Sequence, residues 1–213
     1  MESRMKRVIV FVLVGLTLQA YAKGVLDPLI SFYQDKGGVV ADFIQKVEVK
    51  TPHRVMKRRG RAYFKPGGLM RWDYQWPSKV YYLSDGRYFW MYDVEEGSIY
   101  RMGLNKSPLY AVLGILFEAS KVYDSFKVKA ENEEKKGIVK VLLVPKSEAP
   151  LKKAYITFNK DTGTILSVEI IDNVDTKSTI SFRNQKFKDL PKEVFTLRIP
   201  KGIKVQDLDK TTK

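Results

Sequence analysis

The fold is decided by GRAYFKPGGLMRWDYQWP (60–77), which is followed almost directly by KVYYLSDGRYFWMYD (79–93). Residues 60–93 hold eleven of the chain's twenty-six aromatic side chains, including all three tryptophans. Apolar and polar residues alternate in the first run, which is the period of a β-strand. The alternation predicts that four bulky side chains face one side of the sheet: Met70, Trp72, Tyr74 and Trp76.

The second run contains a hairpin signal at Asp85-Gly86, because glycine readily adopts the positive φ that tight turns need. On the returning strand, alternation predicts a common face for Tyr88, Trp90 and Tyr92. A sheet that carries this much aromatic surface must cover it. Taken singly, an inward aromatic side chain on a strand is more often core than ligand surface.

The N-terminus has the parts of a secretory signal: a positively charged start, an apolar run at 8–18 and Ala-Tyr-Ala at 20–22. The apolar run is shorter than the roughly 20 residues that a membrane-spanning helix needs. We therefore predict a cleaved signal peptide, 1–22, and a single exported domain, 23–213. An uncleaved anchor is the alternative.

The formal net charge is +14 and the chain has no cysteine. Without cysteine the protein forms no disulfide and is not itself a lipoprotein. In an exported protein this charge favours anionic lipid head groups or acidic proteins over nucleic acid as partners. The densest basic run is either a solvated strand face or a docking surface for such a partner; it comprises Arg54, Lys57, Arg58, Arg59 and Arg61.

Most of the remaining chain has the period of short strands, including VFTLRIP (194–200), and the tail after Val205 is polar. Two helices are predicted, one starting at Asp27-Pro28 and one, LYAVLGILFEAS, following Ser107-Pro108. The second is apolar nearly all round and too short to span a membrane, so it covers something apolar. About ten or eleven strands make a mainly β fold, and such a sheet tends to curl, with the helices over its concave side.

Residues for catalysis are few. A Ser-His-Asp triad could use only His53, the single histidine, and a zinc site needs more His or Cys than the chain has. Paired acids near the aromatic region could in principle cleave a glycan; the candidates are Asp73, Asp85, Asp93, Glu95 and Glu96. Because several of them fall in predicted turns, we favour a binding protein without metal or cofactor, and keep a carbohydrate-active enzyme as an alternative.

Four segments carry a family resemblance: ADFIQKVEV (41–49), RAYFKPGGLMRWDYQWP (61–77), YLSDGRYFWMYD (82–93) and VFTLRIPKGIKV (194–205). With the signal peptide and the Ser-Pro apolar helix, they resemble the periplasmic outer-membrane lipoprotein carrier (LolA-like) family. The resemblance implies a single unclosed antiparallel β-barrel whose hydrophobic concave face is covered by short helices.

The resemblance also implies a function. A monomeric periplasmic chaperone would take acylated lipoproteins from an ABC-type releasing complex in the inner membrane and deliver them to an acceptor lipoprotein at the outer membrane. It would use no cofactor, bind no nucleic acid and not insert stably into a membrane. The alternative within the same fold is a periplasmic regulatory domain that senses lipid or lipoprotein.

On this interpretation the acyl chains lie against Met70, Trp72, Tyr74, Trp76, Tyr88, Trp90 and Tyr92. The lid helix would present Leu109, Val112, Leu113, Leu116 and Phe117. The family places an arginine before the proline of the turn at Pro66, where it helps to hold the lid. Here that residue is Lys65, which lacks the planar fork of arginine, so both Lys65 and Arg71 are latch candidates.

We expect that a charged residue in place of Leu113 or Leu116 impairs lipoprotein binding while the sheet stays folded, because a charge opposes contact with an acyl chain. Lipoprotein capture compared with far-ultraviolet circular dichroism checks this. Normal capture by a folded variant would count against the lid assignment.

Overall fold

The computed structural model describes residues 24–106 and 119–210. Within these ranges twelve strands form one sheet in the order β12-β6-β5-β4-β3-β2-β1-β11-β10-β9-β8-β7. Neighbouring strands are antiparallel except β12 and β6, which are parallel. The strands are β1 (Val39–Val49), β2 (Arg54–Lys65), β3 (Leu69–Trp76), β4 (Val80–Ser84), β5 (Tyr88–Asp93), β6 (Ser98–Gly103), β7 (Phe126–Lys135), β8 (Ile138–Pro145), β9 (Lys153–Asn159), β10 (Ile165–Ile171), β11 (Lys177–Phe187) and β12 (Val205–Asp207).

Two α-helices accompany the sheet in the same ranges, α1 (Asp27–Asp35) and α2 (Ala119–Ser125), with 3-10 turns at Leu104–Lys106 and Lys192–Phe195. The prediction of a mainly β, unclosed sheet with helices is confirmed, although the strands number twelve rather than ten or eleven. Among the described residues, no helix is both long and apolar enough to cross a membrane.

The main core lies on the concave face of the sheet, where both halves contribute inward side chains and α1 covers them. Leu29, Ile30 and Tyr33 are the buried face of α1. The Tyr33 hydroxyl donates to Gln185 Oε1 (2.8 Å) and accepts from the backbone N–H of Ile165 (3.1 Å). Burial raises the pKa of Tyr33. The helix is therefore held to β10 and β11 by packing and by hydrogen bonds.

The two helices are joined through Tyr123 of α2. Its hydroxyl donates to Asp27 Oδ1 (2.8 Å) and accepts from the backbone N–H of Leu26 (3.2 Å). Leu26, rather than Asp27, occupies the N-cap of α1, and it makes no side-chain capping bond. The hydroxyl of Tyr123 thus satisfies a backbone donor at the start of α1.

The C-terminal segment corrects a prediction. VFTLRIP is not a strand: Lys192–Phe195 forms a 3-10 turn, and Pro191 and Pro200 flank it, neither of which can donate to a ladder. The polar tail instead supplies β12, which pairs with β6. Arg101 donates to Asp207 Oδ2 from Nε (3.1 Å) and Nη2 (2.8 Å), which fixes the short strand on the sheet edge.

A β-bulge interrupts the pairing of β2 with β3. Gly60 lies opposite Tyr74, but Arg59 lies opposite Trp76, so Gln75 is the extra residue. The backbone is very close here, since a Cβ on Gly60 would lie 2.1 Å from the carbonyl oxygen of Asp73. Glycine at this position is therefore what lets the two strands approach.

We expect Gly60→Ala to lower the free energy of unfolding by about 1–3 kcal/mol, the usual cost of overpacking, because the atoms in the way are backbone. Urea denaturation measures this. Lys57→Ala on the same strand is the control, since Lys57 is exposed and its loss should cost no more than about 0.5 kcal/mol. Equal midpoints for the two variants would contradict the role given to Gly60.

Candidate functional site

A cavity of about 350 Å³ opens on the concave side, where the two halves of the sheet face each other. Its apolar surface comes from five strands, so no single segment of sequence builds it. The apolar lining residues are Tyr74, Tyr82, Phe89, Met102 and Ile170. Two of these rings stack, Tyr82 on Phe89, with centroids 6.0 Å apart. The volume falls within the range of about 300–1,000 Å³ that is typical of small-ligand sites.

A chain of hydrogen bonds crosses the rim of the cavity. Tyr74 donates its hydroxyl proton to Gln45 Oε1 (2.8 Å), and Gln45 Nε2 donates to Ser178 Oγ (2.7 Å). These bonds link β3, β1 and β11. Burial raises the pKa of Tyr74, so this hydroxyl stays protonated at neutral pH. The rim is thereby polar, ordered and uncharged at these three positions.

The rim carries charged groups of both signs. Arg58 lies over the ring of Tyr74, with its Cζ 6.0 Å from the ring centroid. Lys106 also lines the cavity and pairs with Asp209 (2.7 Å). The carboxylate of Asp172, also a lining residue, accepts two backbone N–H groups of its own turn. An apolar pocket under a polar rim suits an amphiphile whose tail is buried and whose polar end stays at the opening.

The structure does not place the predicted wall residues together on the surface of the cavity. Met70 and Trp72 face the concave side but are fully buried in the core, and only Tyr74 of the predicted set lines the cavity. Trp72 lies among three phenylalanine rings, Phe43, Phe64 and Phe182, at centroid distances of 4.8, 5.3 and 5.8 Å. These two residues therefore pack behind the cavity lining and do not form its surface.

The other four predicted wall residues lie on the convex face. Residues directly opposite each other on neighbouring strands share a face. Trp72 lies opposite Tyr82, and Tyr82 opposite Met91, so alternation places Trp90 on the other side. Tyr88, Trp90 and Tyr92 do share one face, but the prediction that they line the cavity with Tyr74 was wrong because the hairpin register sets the opposite phase. It was wrong for Trp76 because the bulge places that residue opposite Arg59.

Sequence comparison decides the family. The profile of the family described as "Outer membrane lipoprotein carrier protein LolA" matches residues 36–198, which is most of the chain. The chain belongs to this family.

Individual LolA-family relatives are distant in sequence. An outer-membrane lipoprotein carrier protein of Neisseria meningitidis serogroup C is 26% identical over 183 residues, 85% of this chain and 86% of that protein. The carrier protein of Vibrio parahaemolyticus serotype O3:K6 is 27% identical over 173 residues, 80% and 79% of the two chains.

Solved structures agree on the fold. An uncharacterized conserved protein from Thermus thermophilus superposes with a TM-score of 0.54 at 13% identity, covering 88% of this chain and 99% of that one. A putative outer membrane lipoprotein-sorting protein domain from Vibrio parahaemolyticus gives 0.50 at 11% identity, covering 83% and 97%. Both likenesses are of fold.

The LolA-type lid predicted from sequence falls outside the described residues. Leu109, Val112, Leu113, Leu116 and Phe117 all lie within 107–118. That segment joins Lys106, which lines the cavity, to Ala119, where α2 begins. The lid assignment therefore stays a prediction.

The two latch candidates hold a different segment. Lys65 Nζ donates to the carbonyl of Leu190 (2.7 Å) and pairs with Asp189, while Arg71 Nη1 donates to the carbonyl of Val194 (3.1 Å). Both cations therefore fasten the chain that follows β11. Whether either also contacts the predicted lid stays a prediction.

The acidic residues considered for glycan cleavage have other partners. Asp73 lies opposite Arg61, on the convex face, and accepts from Arg71 Nε (2.6 Å); burial raises its pKa even so. Asp85 accepts from the backbone N–H groups of two turn residues and from Trp90 Nε1 (2.8 Å). Asp93 accepts from the N–H groups of Glu95 and Glu96. None of these carboxylates lines the cavity.

Sequence reasoning missed Tyr82, Phe89 and Met102 in this LolA-type cavity. One signal was available: a two-residue turn at Gly86 places Asp85 opposite Tyr88 and Ser84 opposite Phe89. The register then puts Tyr82 and Phe89 on one face. Arg58, which the sequence places in a basic run, faces inward and lines the cavity.

Proposed function

We propose that this protein is a periplasmic carrier of acylated lipoproteins, which receives them at the inner membrane and delivers them to the outer membrane. The observation that carries the proposal is the apolar cavity on the concave side of the unclosed sheet, in a chain of the LolA family. The relatives are named as carriers rather than as enzymes. A carrier requires binding and release, with no covalent step.

The energetics favour partial enclosure. Moving an acyl chain of sixteen carbons out of water is favourable by about 12 kcal/mol of free energy, at about 0.8 kcal/mol per CH₂. A carrier must bury enough of the acyl chain to provide much of this free energy, and it must still release its cargo. An apolar floor of aromatic and methionine side chains provides large, non-directional contacts. The rim of Gln45, Tyr74 and Ser178 offers hydrogen-bonding groups to the polar end of the cargo.

The proposal includes the partners and the compartment. The signal at 1–22 would direct export, and the mature carrier, a monomer beginning near Lys23, would meet an ABC-type releasing complex and an outer-membrane acceptor. The apolar segment at 109–117 would contribute to covering the acyl chains. No nucleic acid, cofactor or metal is involved.

The test is direct. The exported protein is purified from a Gram-negative periplasm, and co-purifying lipids and lipoproteins are identified by mass spectrometry. We expect acylated lipoproteins in amounts that fall when the cavity is altered. Recovery of protein free of any acylated molecule, under conditions where a known carrier retains its cargo, would contradict the proposal.

A further inference from the structure

An exposed apolar and basic surface lies on the convex face, behind the cavity. Its central row crosses three strands: Ile44 lies opposite Arg59, and Arg59 opposite Trp76. Trp76 is 47% exposed and Ile44 43% exposed, which is unusual for such large apolar side chains. Val55, at the far end of β2, is 43% exposed on the same face, opposite Glu48.

The same surface has an excess of positive charge. Cations outnumber carboxylates among the charged side chains around this row: Lys46, Lys57, Arg59, Arg61, Lys177 and Arg183 share the face with Asp42, Glu48 and Asp73. Arg61 pairs with Asp42 (3.1 Å) and Lys46 with Glu48 (2.8 Å). In the part of the chain that the structure describes, no carboxylate lies within ion-pair distance of Lys57 or Arg59.

We propose that this surface, centred on Trp76, Ile44 and Arg59, makes reversible contact with an anionic phospholipid bilayer. Tryptophan prefers the head-group level of a membrane, where its ring is partly apolar and its N–H is wet. Lysine and arginine on a shallow face attract anionic head groups. Two exposed apolar side chains without a long apolar helix give weak interfacial binding rather than insertion.

The surface lies directly behind the cavity, so contact with a bilayer would hold the cavity close to the membrane. Arg58 lines the cavity, and the next residue, Arg59, lies on the convex surface. The two surfaces are therefore the two sides of the same strand, β2. β3 pairs with β2 only from Arg59 onward, so none of the described strands pairs with residues 54–58 on that side. A bilayer against the convex surface would therefore be separated from the cavity by the thickness of the sheet.

The proposal is tested with the exported chain and phosphatidylcholine vesicles made with and without phosphatidylglycerol. We expect binding only to the anionic vesicles, and weaker binding at high salt because the charges are exposed. Lys57→Gln with Arg59→Gln should weaken binding about twenty-five-fold, since each surface cation contributes about fivefold. Lys127→Gln with Lys129→Gln is the matched control, because these exposed lysines lie on β7, an edge strand far from β2, and the charge change is the same.

A second variant tests whether Trp76 enters the bilayer. In a Trp90→Phe background, brominated lipids should quench the fluorescence of Trp76, and adding Trp76→Phe should abolish the quenching, since the remaining tryptophan, Trp72, is buried. Equal binding to neutral and anionic vesicles, equal losses in the two double variants, or unchanged quenching in Trp76→Phe would each overturn the proposal. Binding of soluble polyglutamate without vesicle binding would also overturn it, because the surface would then fit an acidic protein. None of these readouts depends on cargo.

Discussion

Replacing Trp72 by alanine is expected to lower the free energy of unfolding by about 3–5 kcal/mol, the range for large aromatic side chains removed from a core. Trp72 is fully buried and makes edge contacts with Phe43 and Phe64 from β1 and β2. Phe182 of β11 closes the cluster. The cluster thus ties the two halves of the sheet together, and a cavity at its centre has little chance to collapse. Chemical denaturation followed by circular dichroism measures the effect.

Two control substitutions make the interpretation specific. Trp76→Ala, on the same strand, should change stability by no more than about 0.5 kcal/mol, because Trp76 is exposed. Trp72→Phe should cost far less than Trp72→Ala, since it keeps the ring and removes an N–H that has no acceptor among the described residues. A Trp72→Ala protein as stable as Trp76→Ala would show that Trp72 is cavity wall, as the sequence alone suggested, and not core.

The face of each strand was predictable where only one phase of alternation is apolar. Met70, Trp72 and Tyr74 alternate with Arg71 and Asp73, so their inward direction follows from sequence. On β5 both phases are apolar: Tyr88, Trp90 and Tyr92 in one, Phe89 and Met91 in the other. Side-chain size favours the set with three large aromatic residues as the inward face. The strand register instead places that set on the convex face.

The segment after β11 covers part of the convex face. This cover explains why Tyr88, Trp90 and Tyr92 can lie on that face. Leu83 and Ile99 are buried on the convex side, and so are Leu190 and Phe195 of the segment after β11. Arg71 fastens that segment through the carbonyl of Val194. This contact joins residues more than a hundred positions apart, and no local pattern indicates it. The sequence therefore suggested an ordinary strand at 194–200 where the chain is a cover.

The cavity was less predictable than the fold for a related reason. Its apolar lining comes from β3, β4, β5, β6 and β10, and the side chains meet only because the sheet curls. Binary patterning shows that these strands have a buried face, but not which inward residues pack and which leave space. Arg58 illustrates the limit, because a cation in a basic run gives no sign that it faces a cavity.

Replacing Met102 by aspartate is expected to weaken the binding of an acylated ligand by roughly a hundredfold or more, while the sheet remains folded. Met102 lines the cavity opposite Phe89 and is only partly buried, so the protein itself tolerates a polar atom there. An acyl chain against the same wall would have to strip water from a carboxylate, which costs several kcal/mol. Each 1.4 kcal/mol of that cost weakens binding about tenfold. Fluorescence titration with a palmitoylated peptide measures the change.

Two further variants separate the cavity from the convex face. Met102→Leu conserves volume and apolar character and should bind within about threefold of the parent, since such replacements cost little. Tyr88→Glu adds the same charge on the convex face, where the guanidinium groups of Arg87 and Arg101 lie 5.1 and 4.7 Å from its ring and would accept a carboxylate. It should leave the affinity unchanged. Weakening by Tyr88→Glu that matches Met102→Asp would place the acyl chains on the aromatic face that the sequence favoured, and the concave cavity would no longer be the binding site.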